Sequence, residues 1–451
     1  MNKKIDFENE HTGKALLKMV IPLFLAMVLM MAYNLVDSVW VGNLLGENGY
    51  AALTTAGSVS MLLYALTTGI GNGTAVVVSR LVGCGDKKKL KQAISTALAF
   101  SVMFAAALTV ILECFLTGIL RVFQTPAKLE ADAGAYLSIF LLGYGAIFLY
   151  MQLTSVYRSF GDPVFQMKGM LLGTLVNLVS DPLFIKAFGI RGAAIASVLS
   201  QVLCLLFAIV YGMKKKYFAF SLQEVKGECA IELLKTVLPA SAQNCIPAVS
   251  SMIMVILANR FDVTIIAAYG VVKNVETILF YPAMAMNMAL ITITGQLYGA
   301  GRNDRVKDYM KSALFMGTVL EAVLTGLVLL FSAQISMSFI KEAAVAAIVS
   351  RGLRIIGVGY LCYMITSIFT GKMAGMGKVK LSMLLMFLYY IVIRVPLAAM
   401  FVNSALKLDG MWIGILISHV AAVILAFAAD RMLEKKETGT ESAGSRECVI
   451  S

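Results

Sequence analysis

Twelve runs of mostly apolar residues dominate the chain, covering roughly 16–42, 50–80, 90–115, 131–157, 164–187, 190–213, 231–259, 263–297, 307–333, 342–371, 380–402 and 410–432. About 20 such residues in a helix cross the hydrocarbon core of a bilayer. Inside lipid a helix satisfies its own backbone polar groups, so each run is predicted to be a transmembrane helix and the fold class to be an all-α membrane protein. Of 451 residues 59% are hydrophobic and 14% charged, against about 25% charged in a soluble domain. No soluble domain is expected. Glycine, proline and charged clusters separate the runs, as at Gly42 to Gly49, Gly83 to Lys91, Gly161-Asp162-Pro163, Lys214 to Glu228 and Gly299 to Lys307.

The ends and the cysteines narrow the class further. Met1 to Ala15 is polar, without the apolar core of a secretory signal, so the first span is expected to direct insertion. The tail from Glu434 reads as solvated and without a fold. Cys84, Cys114, Cys204, Cys229, Cys245, Cys362 and Cys448 lack metal-site spacing and none falls in a predicted outer loop, so they are expected to be unpaired packing residues. With only two histidines, His11 and His419, a histidine-ligated metal centre is not expected.

Lys and Arg accumulate on the cytoplasmic side of membrane proteins. With the N-terminus inside, 27 of the 38 basic residues fall on inside segments, 8 on outside segments and 3 (Lys273, Arg354, Arg394) within spans. Both termini are therefore expected in the cytoplasm and the protein in the plasma membrane. The net charge of +12 is then a topology signal and calls for no nucleic-acid partner.

The chain contains itself twice. Leu16-Leu17-Lys18-Met19-Val20-Ile21-Pro22 recurs as Leu233-Leu234-Lys235-Thr236-Val237-Leu238-Pro239. Leu81-Val82-Gly83-Cys84-Gly85 answers Leu297-Tyr298-Gly299-Ala300-Gly301, and Pro182 and Gly192 answer Pro396 and Gly410. An even number of spans per repeat makes the repeats parallel, about an axis along the membrane normal. The expected organisation is a tail at 1–15, an N-lobe at 16–213, a linker at 214–230, a C-lobe at 231–433 and a tail at 434–451. Two six-helix bundles around a central cavity form transporter architecture.

Acidic residues stand out against this scaffold. Asp37 lies in the apolar first span, and Asp181 in the fifth, four residues after Asn177 and on its helix face. Both spans run outward, and both acids fall five to seven residues short of the outer end. In register, Asp37 falls on Met254 and Asp181 on Val395, so the acids are additions to the duplicated frame. Two carboxylates at one depth in a poorly hydrated bundle do not both ionise cheaply, and a proton or Na⁺ relieves the cost. The competing reading makes each a separate helix-end residue.

The run from Pro22 to Asp37, the Gly83-Cys84-Gly85-Asp86 turn, the Asn177 to Asp181 segment, Gly192-Ala193-Ala194-Ile195-Ala196-Ser197 and the six-plus-six repeat together resemble the multidrug and toxin extrusion (MATE) family, DinF-like prokaryotic branch, over about residues 12 to 433. The resemblance implies a secondary antiporter, not an enzyme. It would export amphipathic, often cationic compounds in exchange for H⁺ or Na⁺, with no cofactor. A full twelve-span unit needs no partner to form its cavity, so the chain is expected to act as a monomer. The resemblance also implies that Asp37, Asn177, Asp181 and Ser197 form the cation-coupling site, with Na⁺ possible between Asp37 and Asp181, and that the first span hinges at Pro22. Proline removes an intrahelical hydrogen bond, so a bend there is cheap. In that picture Tyr33 and Tyr136 line the drug cavity; ordinary aromatic packing is the alternative.

The sequence departs from the NorM-like branch, since Pro239 to Cys245 in the seventh span carries no acid. Lys273 and Glu276, three apart, read as a neutralised pair, while Arg394, Arg354 and Glu321 have no assigned role. Met284, Met286 and Met288 read as packing, because alternate residues do not share a helix face. The alternative function is a lipid-linked saccharide flippase of the same superfamily, which calls for a more cationic cavity. A membrane-embedded enzyme would need a reactive constellation, and the sequence has no zinc motif, no G-x-S-x-G and no paired His and acid.

Overall fold

The computed structural model describes residues 5–122, 125–217 and 220–440, and no strand occurs among them. Thr12–Cys84 forms one 73-residue helical path, α1, interrupted at Gly46 (φ 70°, ψ −162°). That break divides α1 into two span-length pieces and brings the expected count to twelve. α2 (Lys87–Cys114), α4 (Ala127–Ser159), α5 (Val164–Phe188) and α6 (Ile190–Lys215) complete the first set of spans, with the short α3 (Leu116–Val122) after α2. The second set is α7 (Gly227–Ala258), α8 (Val263–Gly299), α9 (Asn303–Leu330), α11 (Ala343–Gly375), the composite Val379–Val402 and α14 (Lys407–Thr440), with the short α10 (Ser332–Phe339) after α9. The composite span is α12 (Val379–Phe387), a π-helical segment (Leu388–Arg394) and α13 (Val395–Val402).

Backbone geometry repeats along with the sequence. Gly85 and Gly301 share φ 73°, and Gly161 and Gly377 have φ 79° and 80°. Each ends a span in the left-handed region that glycine enters without a Cβ penalty. The short helices α3 and α10 begin at equivalent places, and no sequence signal had marked them.

Two compact units result. One holds Ile21–Ser241; the other holds Asp6–Val20 together with the chain from Ala242 onward. The division thus falls within α1 and α7, close to the duplicated prolines Pro22 and Pro239. In the first unit the start of α7 packs on the second half of α1: a Cβ on Gly69 would meet Ser241 Cα at 2.4 Å, and one on Gly73 would meet Val237 Cα at 2.7 Å. Small residues four apart let two helix backbones approach this closely. In the second unit the N-terminal stretch is fastened to α9. Phe7 stands edge-on to Tyr309, Arg305 Nη2 donates to Glu10 O (2.6 Å), and Thr12 Oγ1 lies 2.7 Å from Ser312 Oγ.

Each unit has its own core. Tyr136, Phe140, Tyr144 and Phe148 lead that of the first, and Tyr269, Leu353, Tyr360 and Trp412 that of the second.

Two expectations need correction. α14 continues to Thr440, so the tail is helical beyond Glu434; Glu434-Lys435-Lys436-Glu437 are good helix formers that extend a helix already nucleated. Cys84 is disulfide-bonded, whereas Cys114, Cys204, Cys229, Cys245 and Cys362 are free. Cys84 sits half-buried at the end of α1, next to the Gly85 turn. Cys448 lies outside the described residues.

Candidate functional site

Asp37 projects from the first half of α1 and is 7% exposed; Asp181 and Asn177 on α5 are fully buried. Their spacing on α5 stacks the two side chains, so Asn177 Nδ2 donates to Asp181 Oδ1 at 2.8 Å. Pro182 follows directly within the helix, and its missing N–H leaves the carbonyl one turn back without its helical donor. At the neighbouring helix, a Cβ on Gly192 would fall 2.0 Å from Phe184 O, so glycine alone lets the start of α6 lie against α5. That approach brings Ser197 toward the acids.

The carboxyl groups of Asp37 and Asp181 lie within each other's electrostatic reach, and no lysine or arginine pairs with either among the described residues. Asp37 Oδ1, Asn177 Oδ1, Asp181 Oδ2 and Ser197 Oγ are buried without a hydrogen-bond partner. Unpaired buried polar atoms are costly. All four are oxygens and none is bound by a basic group, the donor chemistry that a proton or a hard monovalent cation takes. No cluster of three or more His, Cys, Asp and Glu occurs among the described residues.

Three tyrosines lie near Asp37. Tyr33 Oη and Ser200 Oγ are 3.1 Å apart, and Ser200 Oγ donates to Ser197 O at 2.8 Å. Tyr136 faces Asp37 and Ser197 and stacks on Phe140. Tyr33 (6% exposed) and Tyr136 (5%) are packed against the acid site. Tyr64 also faces Asp37. Sequence reasoning missed Tyr64 and Ser200. Ser200, three residues after Ser197, shares its helix face and was findable; nothing around Tyr64 marked it. Pro22 lies within α1 at a point where the helical backbone is unbroken, Gly46 being the residue that leaves it.

The charged residues of the second unit form a different site. Lys273 Nζ donates to Glu276 Oε2 at 2.8 Å, which is the neutralised pair expected. Arg394, at the end of the π-helical segment, lies over the rings of Tyr389 and Tyr390 at 4.9 and 4.6 Å. Its Nε donates to Ser418 Oγ (3.1 Å) and its Nη2 to Tyr389 Oη (2.7 Å) and His419 Nε2 (3.0 Å). Because a guanidinium only donates, His419 Nε2 accepts and Nδ1–H points to Tyr389 Oη, 2.7 Å away. Lys273, Glu276 and Arg394 line one small pocket with Met254, Tyr269 and Trp412. Arg354 is exposed.

Comparison with known proteins gives concordant matches. The MatE family model fits the chain twice, at residues 22–183 and again at 239–400. A probable multidrug resistance protein of Bacillus subtilis, YoeA, is 26% identical over 431 residues, covering 93% of each chain. An FAD transporter of Shewanella oneidensis is 25% identical over 403 residues, covering 86% of this chain and 88% of its own. A multidrug resistance transporter of the MATE family, solved in an outward-facing conformation, superposes with a TM-score of 0.90 at 25% identity, over 96% of this chain and 98% of that one.

Proposed function

The chain belongs to the MATE family of membrane transporters, and on that premise we propose that it is a secondary antiporter of the plasma membrane, with both termini cytoplasmic. It exports amphipathic compounds in exchange for H⁺ or Na⁺. The observation that carries this reading is the buried pair Asp37 and Asp181, with unpartnered carboxylate oxygens and no basic counter-group. A site that ionises only when a cation leaves it is what coupling to a gradient requires. Asp37, Asn177, Asp181 and Ser197 hold the cation, and Tyr33, Tyr64 and Tyr136 keep water from the acids.

Alternation follows from the change of charge. With the cation bound, the acids are compatible with a dry, closed bundle; when it leaves, two like charges in low dielectric favour a hydrated, rearranged one. The boundary between compact units at Val20 and Ile21, beside Pro22, supports a hinge there. One charge moving down a potential of 100 mV supplies about 2.3 kcal/mol per transport cycle. The unit needs no second copy to complete this cycle.

Cargo follows from the relatives. Multidrug export supports a cationic amphipath as the first probe, and the FAD transporter supports an anionic aromatic one as the second. The test is efflux of ethidium and of FAD from proteoliposomes under an imposed pH or Na⁺ gradient, for the native chain and Asp37→Asn. Gradient-driven efflux lost in the variant supports the reading and identifies the ion. Equal efflux in both discards the site, and failure to move either probe shifts the weight to the lipid-linked saccharide flippase.

A further inference from the structure

Glu321, in the middle of α9, is 1% exposed, and neither carboxylate oxygen has a hydrogen-bond partner. It is not alone. Thr325 Oγ1, one turn further along the same face, is also buried without a partner, and so is Tyr360 Oη on α11. The helix register brings the three together. A Cβ on Gly317 of α9 would meet Met364 and Ile368 of α11, and one on Gly357 of α11 would meet Leu329 of α9. The helices therefore run antiparallel with residues 321–325 opposite Tyr360, which lies within the field of Glu321.

The other half of the chain supplies an internal control. At the repeat spacing, Thr325 and Tyr360 answer Thr109 and Tyr144, while Glu321 answers Ala105. In that half the hydroxyls are occupied: Thr109 Oγ1 donates to Leu141 O at 3.0 Å, and Tyr144 Oη is 2.5 Å from Thr67 Oγ1 and donates to Leu63 O at 3.2 Å. The same threonine and tyrosine thus appear twice. Where alanine stands their hydroxyls are satisfied by protein, and where glutamate stands they have no partner. A structural carboxylate would use those hydroxyls or a basic residue. This one uses neither.

From this we infer that Glu321, Thr325 and Tyr360 form a second site for a monovalent cation, H⁺ or Na⁺, within the second unit and separate from Asp37 and Asp181. As a proton site, a neutral Glu321 donates to Thr325 Oγ1 or Tyr360 Oη. As a Na⁺ site, two carboxylate oxygens and two hydroxyls supply four hard donors of net charge −1, which a monovalent ion neutralises. No charged group pairs with Glu321 among the described residues; Glu276 and Arg394 act on Tyr360 from elsewhere in the unit. Cation binding here does not depend on the antiport reading; its use in transport does.

The test uses the purified full chain in detergent, with infrared difference spectra across a pH titration and equilibrium binding of radiolabelled Na⁺. Wild type, Glu321→Gln, Thr325→Val and the double variant Asp37→Asn/Asp181→Asn are compared. The expected result is one protonated-carboxyl band that fades as pH or Na⁺ rises, or one bound Na⁺, lost in Glu321→Gln and retained in the double variant. Thr325→Val should weaken the cation by about tenfold, the value of one hydrogen bond to a charged group. Spectra and Na⁺ binding unchanged by both Glu321→Gln and Thr325→Val overturn the inference, as does a Glu321 band insensitive to pH and Na⁺. Glu321→Gln replaces one oxygen by nitrogen and keeps the volume, and Thr325→Val reads the same site should that variant fail to fold. If Asp37→Asn leaves efflux intact while the Glu321 signal behaves as expected, the antiport site falls and this one stands.

Discussion

Equivalent regions of the two halves of the chain carry opposite charge, although not at the same positions. The small pocket of the second unit is lined by Met254, Arg394 and Ile415, and in the repeat register these stand where the first unit has Asp37, Ser180 beside Asp181, and Ser197. One half presents two carboxylates with open oxygens; the other presents a guanidinium enclosed by two tyrosine rings, a serine and a histidine. Helix lengths, turn glycines and short connecting helices are held in common. A duplicated scaffold therefore fixes where a polar group is placed in the bundle, while its sign and its satisfaction diverge residue by residue. The acids keep oxygens without a partner, whereas the arginine is wrapped by protein.

The comparison breaks most severely at the backbone. Gly371 on α11 would carry a Cβ 2.8 Å from Asn287 O and 3.1 Å from Leu290 Cβ; the equivalent pair in the first unit has the glycine on the other helix, Gly71 facing Ser155, with Ser155 Oγ at 2.5 Å. Backbone cannot yield as a hydroxyl can. Gly371→Leu should exceed the roughly 1–3 kcal/mol of ordinary overpacking and leave little folded protein. Gly71→Asn should be destabilised within that range, and adding Ser155→Gly should restore much of the loss. The reason is that Asn287 Nδ2 donates to Ser367 O and Thr370 Oγ1 in the second unit, and the register offers Met151 O and Thr154 Oγ1 at the same places in the first. Thermal unfolding followed by intrinsic fluorescence separates the units, because the chain has two tryptophans, Trp40 among the residues packed on the first core and Trp412 in the second. A double variant no more stable than Gly71→Asn would show that the halves are not interchangeable at this contact.

A smaller effect sharpens the contrast in charge. Arg394→Met removes donors to Ser418, Tyr389 and His419 at once and should cost about 1–3 kcal/mol, since buried acceptors are left unmatched. No carboxylate pairs with Arg394 among the described residues, so the larger penalty of an orphaned partner charge does not arise. Gradient-driven efflux per folded molecule should stay within about twofold of wild type, below the threshold of 1.4 kcal/mol that a tenfold change represents. Loss of coupling with stability intact would place the guanidinium in the transport cycle and erase the division of roles.

Much of this was legible in the sequence because lipid leaves so few options. Span lengths and the intramembrane acids follow from the cost of polar groups in hydrocarbon, which acts on residue types without reference to partners, and the duplication is visible as self-similarity. Asn177 with Asp181 was readable because a four-residue spacing fixes a helix face. What escaped depends on three-dimensional neighbours: Tyr64 arrives from another helix, Glu321 gains meaning only beside Tyr360, and Arg394 only inside its aromatic enclosure. The assignment of Asp6–Val20 to the second unit escaped for the same reason, since the composition of residues 6–20 says nothing about Tyr309 and Ser312 on α9. The helical tail to Thr440 was missed because charged composition was read as solvation when those residues are also strong helix formers.

The smallest expected effect concerns the Lys273 and Glu276 pair. Its members are unequally buried, with side-chain exposures of 31% and 7%. Glu276→Gln leaves a lysine whose long stem can carry the ammonium out toward water, so the loss should be about 0.5 kcal/mol, as for a partly exposed pair. Lys273→Met strands a buried carboxylate whose Oε1 already lacks a partner, and should cost about 1 kcal/mol more, well short of the 3–5 kcal/mol for a fully buried pair. The double variant should resemble Glu276→Gln alone, because removing the carboxylate removes the problem. Fluorescence of Trp412, which stacks on Tyr269 in the same pocket, reports each melting point. Equal costs for the two single variants would mean that Glu276 is balanced across the pocket by Arg394. In that case the wrapped arginine is itself half of an ion pair, and the contrast between the open acids Asp37 and Asp181 and a self-contained Arg394 would have to be redrawn.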